Sequence, residues 1–227
     1  MTIIADSMQA IQANIQAALI SAKRESSVQL LAVSKAQPAE KLRSAYLAGQ
    51  RAFGENYVQE AIVKQQQLSD LVIEWHFIGP IQSNKTQLIA QHFDWVHSVD
   101  RLKIAERLSS ARSDLLAPLN VCIQINSSQE STKSGADLSE TIALANAINT
   151  LPNLKLRGLM AIPAPAKDYA TQRAQFKIVH DAFQALQQHG FDLDALSIGM
   201  SEDYVAAIHE GATIVRIGSA LFGARDG

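Results

Sequence analysis

Lys35 stands two residues beyond the apolar run Val28 to Val33, and Pro38 and a helical pattern from Ala39 to Ala48 follow at once. A β-type run followed by a helix start places Lys35 where a strand hands over to a helix, the edge at which α/β proteins collect their chemistry. A lysine there either rests with its stem on apolar surface and its charge in water, or is partly desolvated. In the second case the amine gives up its proton more readily and can condense with a carbonyl to an imine. Lys35 alone does not choose between the two.

Three further positions bear on that choice. Met200-Ser201 and Gly218-Ser219 each follow a short apolar run near the C-terminal end of the chain. Backbone N–H groups at such helix starts can hold a phosphate. Taken singly, Ser201 also reads as a helix cap and Gly218 as a turn glycine. Arg216 interrupts Ile214-Val215-Arg216-Ile217 just before Gly218, and either leaves the strand for solvent or a carboxylate, or points at a ligand. An amine, an arginine and a phosphate cradle together outline a pocket for a flat aldehyde carrying a phosphate, a description that pyridoxal 5′-phosphate (PLP) fits.

The elements that would position these groups alternate regularly. An amphipathic helix from Asp6 to about Arg24 carries Ile11, Ile15, Ala18, Leu19 and Ala22 at helical spacing, with Asp6 and Gln9 as a capping box. The first strand ends at Lys35 and its helix stops at Gly49, suited to a left-handed cap. Arg51 to Gly54, Glu74 to Ile78, Asp94 to Val99, Leu119 to Ile125, Leu156 to Ile162, Ala195 to Gly199 and Thr213 to Ile217 supply seven more strands. Helices are expected from Tyr57 to Leu68, from Ser83 or Asn84 to Gln91, from Asp100, from Leu138 to Ile148, to about Gln188, and from Glu202 to Glu210 behind Ser201. Eight β-then-α units predict an α/β protein of one domain over residues 1–227, a (β/α)8 TIM barrel with an extra N-terminal helix. A doubly wound sheet competes, but Ser34-Lys35-Ala36-Gln37 occupies the place of its Gly-rich turn.

Composition narrows the function classes. The 227 residues are 47% hydrophobic and 19% charged, with a formal net charge of -2, so there is no basic field for nucleic acid or anionic lipid. The single cysteine, Cys122, lies in an apolar run and rules out an internal disulfide framework or thiolate cluster. No signal-peptide pattern and no stretch of roughly 18 apolar residues is found, which makes the cytoplasm the expected location and no membrane span expected. His76 and His97 lack a third ligand at metal-site spacing.

Several motifs carry a resemblance: Leu31-Ala32-Val33-Ser34-Lys35, Phe53-Gly54-Glu55-Asn56-Tyr57-Val58-Gln59-Glu60, and the stretch from His76 to Lys85. To these are added Arg157-Gly158-Leu159-Met160-Ala161-Ile162, Ser197-Ile198-Gly199-Met200-Ser201, and the stretch from Val215 to Arg225. In this order they resemble the PLP homeostasis protein family, itself similar to the barrel domain of alanine racemase. The resemblance implies that Lys35 forms an internal aldimine with PLP and that Ser201, Gly218 and Ser219 hold its phosphate. It further implies that Arg216 faces the pyridine nitrogen and that Asn56 and Met200 line the ring. His76 reads equally as a barrel histidine and Asn84 as a helix cap.

An arginine at the ring nitrogen weakens the electron sink that carbanion chemistry needs. A two-base racemase also takes an acid/base from a second domain, whereas this sequence ends at Gly227, directly after strand eight. The expectation is therefore a monomeric, non-catalytic carrier that stores and buffers PLP and passes it to apo-enzymes. The alternative is a PLP-dependent, racemase-like enzyme using Tyr57 or His76 as second base; a Schiff-base aldolase on sugar phosphates is a third class. The polar loop Asn126 to Asp137, with Lys133, reads as a solvated loop or a cover bearing a second amine.

Overall fold

The computed structural model describes residues 3–127 and 134–223. Lys133 and the centre of its loop lie outside the described residues, as does Arg225. The chain begins with α1 (Ile3–Ser21) and then alternates: β1 (Gln29–Val33), α2 (Ala39–Leu47), β2 (Ala52–Glu55), α3 (Val58–Gln67), β3 (Glu74–Phe77), α4 (Thr86–His92), β4 (Trp95–Val99) and α5 (Leu102–Ala111). It continues through β5 (Leu119–Gln124), α6 (Thr141–Asn149), β6 (Leu154–Met160), α7 (Tyr169–Gln188), β7 (Ala195–Ser197), α8 (Tyr204–His209), β8 (Ile214–Ile217) and α9 (Ser219–Phe222). The eight strands are parallel, pair in sequence order and close by β1 against β8, with Leu31 opposite Arg216. The expected (β/α)8 barrel is the observed fold.

Two apolar clusters hold it. The larger lies between strands and helices and includes the fully buried Phe53, Leu42, Ile89, Leu108, Ile123 and Phe176. The smaller is formed by the alternate, inward-facing residues Leu31, Ala52, Trp95, Cys122, Met160, Ala195 and Ile214. Each such side chain, fully buried, contributes about 1.5–3 kcal/mol if large. The α1 stripe Met8, Ile11, Ile15, Ala18 and Leu19 is buried as its spacing requires.

Helix starts differ from the sequence expectations. The first helix begins at Ile3, so Asp6 lies in its first turn, where a carboxylate favours the dipole, rather than at a cap. Ser83–Lys85 forms a 3-10 turn before α4. Ser201 does not open α8: that helix starts at Tyr204, and Asp203 Oδ1 instead accepts from the Met200 N–H at 2.6 Å. Gly49, at φ +107°, ends α2 as expected, donating its N–H to Tyr46 O.

Candidate functional site

At the C-terminal ends of the strands lies a cavity of about 340 Å³. Lys35, Asn56, Met200, Ser201, Arg216, Gly218 and Ser219 all line it, together with apolar Val33, Ile78 and Ile162. The structure thus brings every sequence-selected cofactor residue to one space.

Lys35 is half-buried in the turn after β1, and a buried polar cluster fixes the backbone on both sides of it. The Lys64 ammonium donates to Ser34 O at 2.6 Å, to Glu55 Oε1 at 2.7 Å and to Glu60 Oε1 at 2.6 Å. Ser34 Oγ donates to Glu55 Oε1 at 2.6 Å, and the Ala36 N–H donates to Glu60 Oε1 at 2.6 Å. Ala36 has φ +56°, a conformation uncommon for a non-glycine residue, and this clamp holds it there. Burial pushes the Glu55 carboxyl above its usual range, against the opposing pull of Lys64. Sequence reasoning missed Glu55, Glu60 and Lys64 as supports of the lysine turn.

On the next strand end, Asn56 Oδ1 is buried without a hydrogen-bond partner among the described residues. Gly79 passes so close beneath it that a Cβ there would lie 2.4 Å from Asn56 O. The requirement for glycine at 79 is therefore steric, and it sets where Asn56 stands. Gly218 packs against β1 in the same way, a Cβ there falling 3.1 Å from Val33 O. Ser219 Oγ donates to Ser201 Oγ at 3.3 Å, so the two loops meet. Among the described residues the backbone N–H groups of Ser201, Gly218 and Ser219 donate to no other group.

Arg216 is buried and points from β8 into the barrel mouth. Its Nη1 donates to Ser197 O (2.5 Å) and Ser197 Oγ (2.8 Å), and its Nη2 to Ala161 O at 3.0 Å. Burial draws its pKa down to about 10, which leaves it charged at neutral pH.

Other candidates stand apart from the cavity. Tyr57 is exposed in the β2–α3 turn, and Asn84 lies in the 3-10 turn before α4; neither lines the cavity. His76 and His97 are wholly buried inside the barrel, with His76 Nδ1 and His97 Nε2 2.8 Å apart. That is a hydrogen-bond distance, so the two rings partner each other and do not converge on a metal. Cys122 is a core residue, its thiol pushed up to about 12 by burial.

The family model described as "Alanine racemase, N-terminal domain" matches residues 7–226. A PLP homeostasis protein of Pseudomonas aeruginosa is 56% identical over 227 residues, covering 100% of this chain and 97% of that protein. The chain belongs to the PLP homeostasis protein family. Another member, from Escherichia coli K12, is 54% identical over 202 residues, which span 88% of this chain and 86% of that protein. Among solved structures, PipY of Synechococcus elongatus with PLP bound superposes with a TM-score of 0.86 at 38% identity, covering 97% of this chain and 100% of that one. Alanine racemase of Clostridium difficile shares the fold at 18% identity, TM-score 0.73, with 58% of that chain covered.

Proposed function

We propose that this member of the PLP homeostasis protein family binds PLP through an imine at Lys35 and holds, buffers and hands over the cofactor without strong catalysis. The observation that carries this reading is the convergence on one cavity of a supported lysine, donor groups with no internal partner, and a buried, partnerless acceptor. An aldehyde requires the Lys35 amine, and a phosphate dianion requires donors such as the Ser201, Gly218 and Ser219 N–H groups and hydroxyls. A polar ring substituent requires the Asn56 acceptor, and the ring nitrogen a donor on Arg216. The residues present fit the group. Met200, half exposed, closes one side of the cavity.

Bound PLP supplies an electrophilic carbon that exchanges one amine for another. A permanently charged arginine at the ring nitrogen disfavours its protonation and so weakens carbanion stabilisation, which favours holding over catalysis. Tyr57 and His76, the two candidates for a second base, do not line the cavity, which is the further support for a carrier over a racemase-like enzyme. Recipients of the cofactor are apo-enzymes reached in the cytoplasm, and the carrier acts as a monomer.

The test is titration with PLP followed by absorption, combined with a chiral assay of amino-acid turnover and transfer to an apo-enzyme. The expected result is a visible band, transfer, and no sustained turnover. Sustained racemisation supports the enzyme reading, and absence of a band removes the cofactor.

A further inference from the structure

A line of polar side chains crosses the apolar interior of the barrel, from the Arg216 guanidinium at the mouth to a carboxylate at the opposite end. Arg216 Nη1 meets Ser197 Oγ at 2.8 Å, Ser197 Oγ meets His97 Nδ1 at 2.8 Å, and His97 Nε2 meets His76 Nδ1 at 2.8 Å. His76 Nε2 then meets Glu74 Oε1 at 2.5 Å. Ser197, His97 and His76 are 0% exposed and Arg216 4%, whereas the Glu74 side chain is 42% exposed at the start of β3.

The two ends settle the direction of every bond between them. Arginine only donates, and an ionised carboxylate only accepts. Glu74 therefore takes the Nε2 proton of His76, the bare Nδ1 of a neutral His76 takes the Nε2 proton of His97, and the bare Nδ1 of a neutral His97 takes the Ser197 hydroxyl proton, while Ser197 Oγ accepts from Arg216. A single set of tautomers satisfies all four contacts.

We propose that His97 is a positioning residue for the cofactor pocket: acting through Ser197, this one-way chain orients the Arg216 guanidinium and keeps both imidazoles as neutral Nε2–H tautomers. Ser197 Oγ and the carbonyls of Ser197 and Ala161 take both Nη1 protons and one Nη2 proton, leaving Nε and one N–H of Nη2 unbonded among the described residues, so donors remain for a ligand. The groups facing the imidazoles agree with neutrality. Arg216 opposes a charge on His97, while Glu74 and Asp94 favour one on His76 without overcoming its burial. Trp95 stacks on His76 with ring centres 5.3 Å apart and is itself capped by Arg157. Cys122 stays a thiol.

The part of this proposal that concerns Arg216 and its ligand rests on the PLP reading above; the tautomers do not. They are read in the protein without PLP, by long-range nitrogen–proton correlation of the imidazole rings. Both Nδ1 atoms are expected unprotonated and both Nε2 atoms protonated, unchanged between pH 6.5 and 8, an interval over which a free imidazole goes from about half charged to almost wholly neutral. A proton on either Nδ1, or titration of either ring in that range, overturns the proposal.

PLP affinity and the bound-cofactor spectrum are then compared in S197A, H97L and H97Q, with thermal melting as the check on folding. S197A and H97L are expected to weaken PLP roughly 10-fold and move the absorption band. H97Q, whose amide can donate to His76 and accept from Ser197, is expected to restore both to within about 3-fold. Unchanged PLP binding in S197A and H97L, or H97Q as weak as H97L, overturns the positioning role. A wild-type protein that gives no PLP band at all overturns the cofactor reading instead, while the tautomer result stands separately.

Discussion

The ammonium of Lys64 lies 2.6 Å from the carbonyl oxygen of Ser34, one residue before Lys35. The same ammonium neutralises Glu55, and both side chains are removed from water, at 6% and 0% exposure. Removing one member of a buried pair leaves the other uncompensated, typically at 3–5 kcal/mol. Here Glu55 can partly escape by taking a proton, because burial already raises its pKa. Lys64→Met is expected to cost about 3 kcal/mol in urea denaturation and to loosen PLP. Adding Glu55→Gln should recover at least half of the stability loss. Additive losses in the double variant would show that the two side chains are not coupled.

Gly79→Ala tests how Asn56 is placed. Its Cβ would meet the Asn56 carbonyl at 2.4 Å, a backbone contact that no side-chain rotation relieves. The expected outcome is a loss of about 2–3 kcal/mol in denaturation, together with weaker PLP binding. Gly218→Ala, with its closest contact at 3.1 Å, should be the milder of the two. Equal melting temperatures for wild type and Gly79→Ala would contradict the close packing.

The barrel histidines make stability depend on pH. Burial holds both below their ordinary value of 6.5, so below that pH the unfolded chain binds protons that the folded chain refuses. Stability is therefore full above 6.5 and falls as the pH drops, by up to about 1.4 kcal/mol per pH unit for each histidine. Glu55, with its raised pKa, acts in the opposite sense nearer its own titration, so the comparison is made with H97Q at pH 7.5, 6.5 and 5.5. H97Q should show a smaller acid slope than wild type. Identical slopes would mean that His97 is charged or exposed.

Cys122 should be inert. Its thiol is wholly buried and pushed up to about 12, so almost no thiolate exists at neutral pH. A disulfide reagent is expected to react only in denaturant, and rapid native modification would contradict the packed barrel interior.

Much of this molecule is legible in the chain. The alternation of short apolar runs with helical patterns marks all eight strands, and Lys35, Ser201, Arg216 and Gly218 stand out because each interrupts or ends an apolar run. The polar interior is not legible in the same way. A charged residue in a helix reads as solvated, yet Lys64 shares its face with Val58 and Ala61, both buried. That spacing was the available signal. His76 and His97 each sit at an inward position of a strand, but only closure of the barrel brings them together. Ser201 reads as a cap in the sequence, whereas the Asp203 carboxylate takes the Met200 N–H and holds residues 201–203 in a turn, so α8 starts only at Tyr204.

The central claim is that Lys35 is the covalent anchor, and the most direct measurement is borohydride reduction of the PLP-treated protein followed by peptide mapping, in wild type and Lys35→Ala. The account predicts a single stable label on Lys35, and in Lys35→Ala loss of that label with residual, reversible PLP held at the Ser201 and Gly218-Ser219 loops. A label on another lysine in the wild type, or an unchanged visible band in Lys35→Ala, would contradict it.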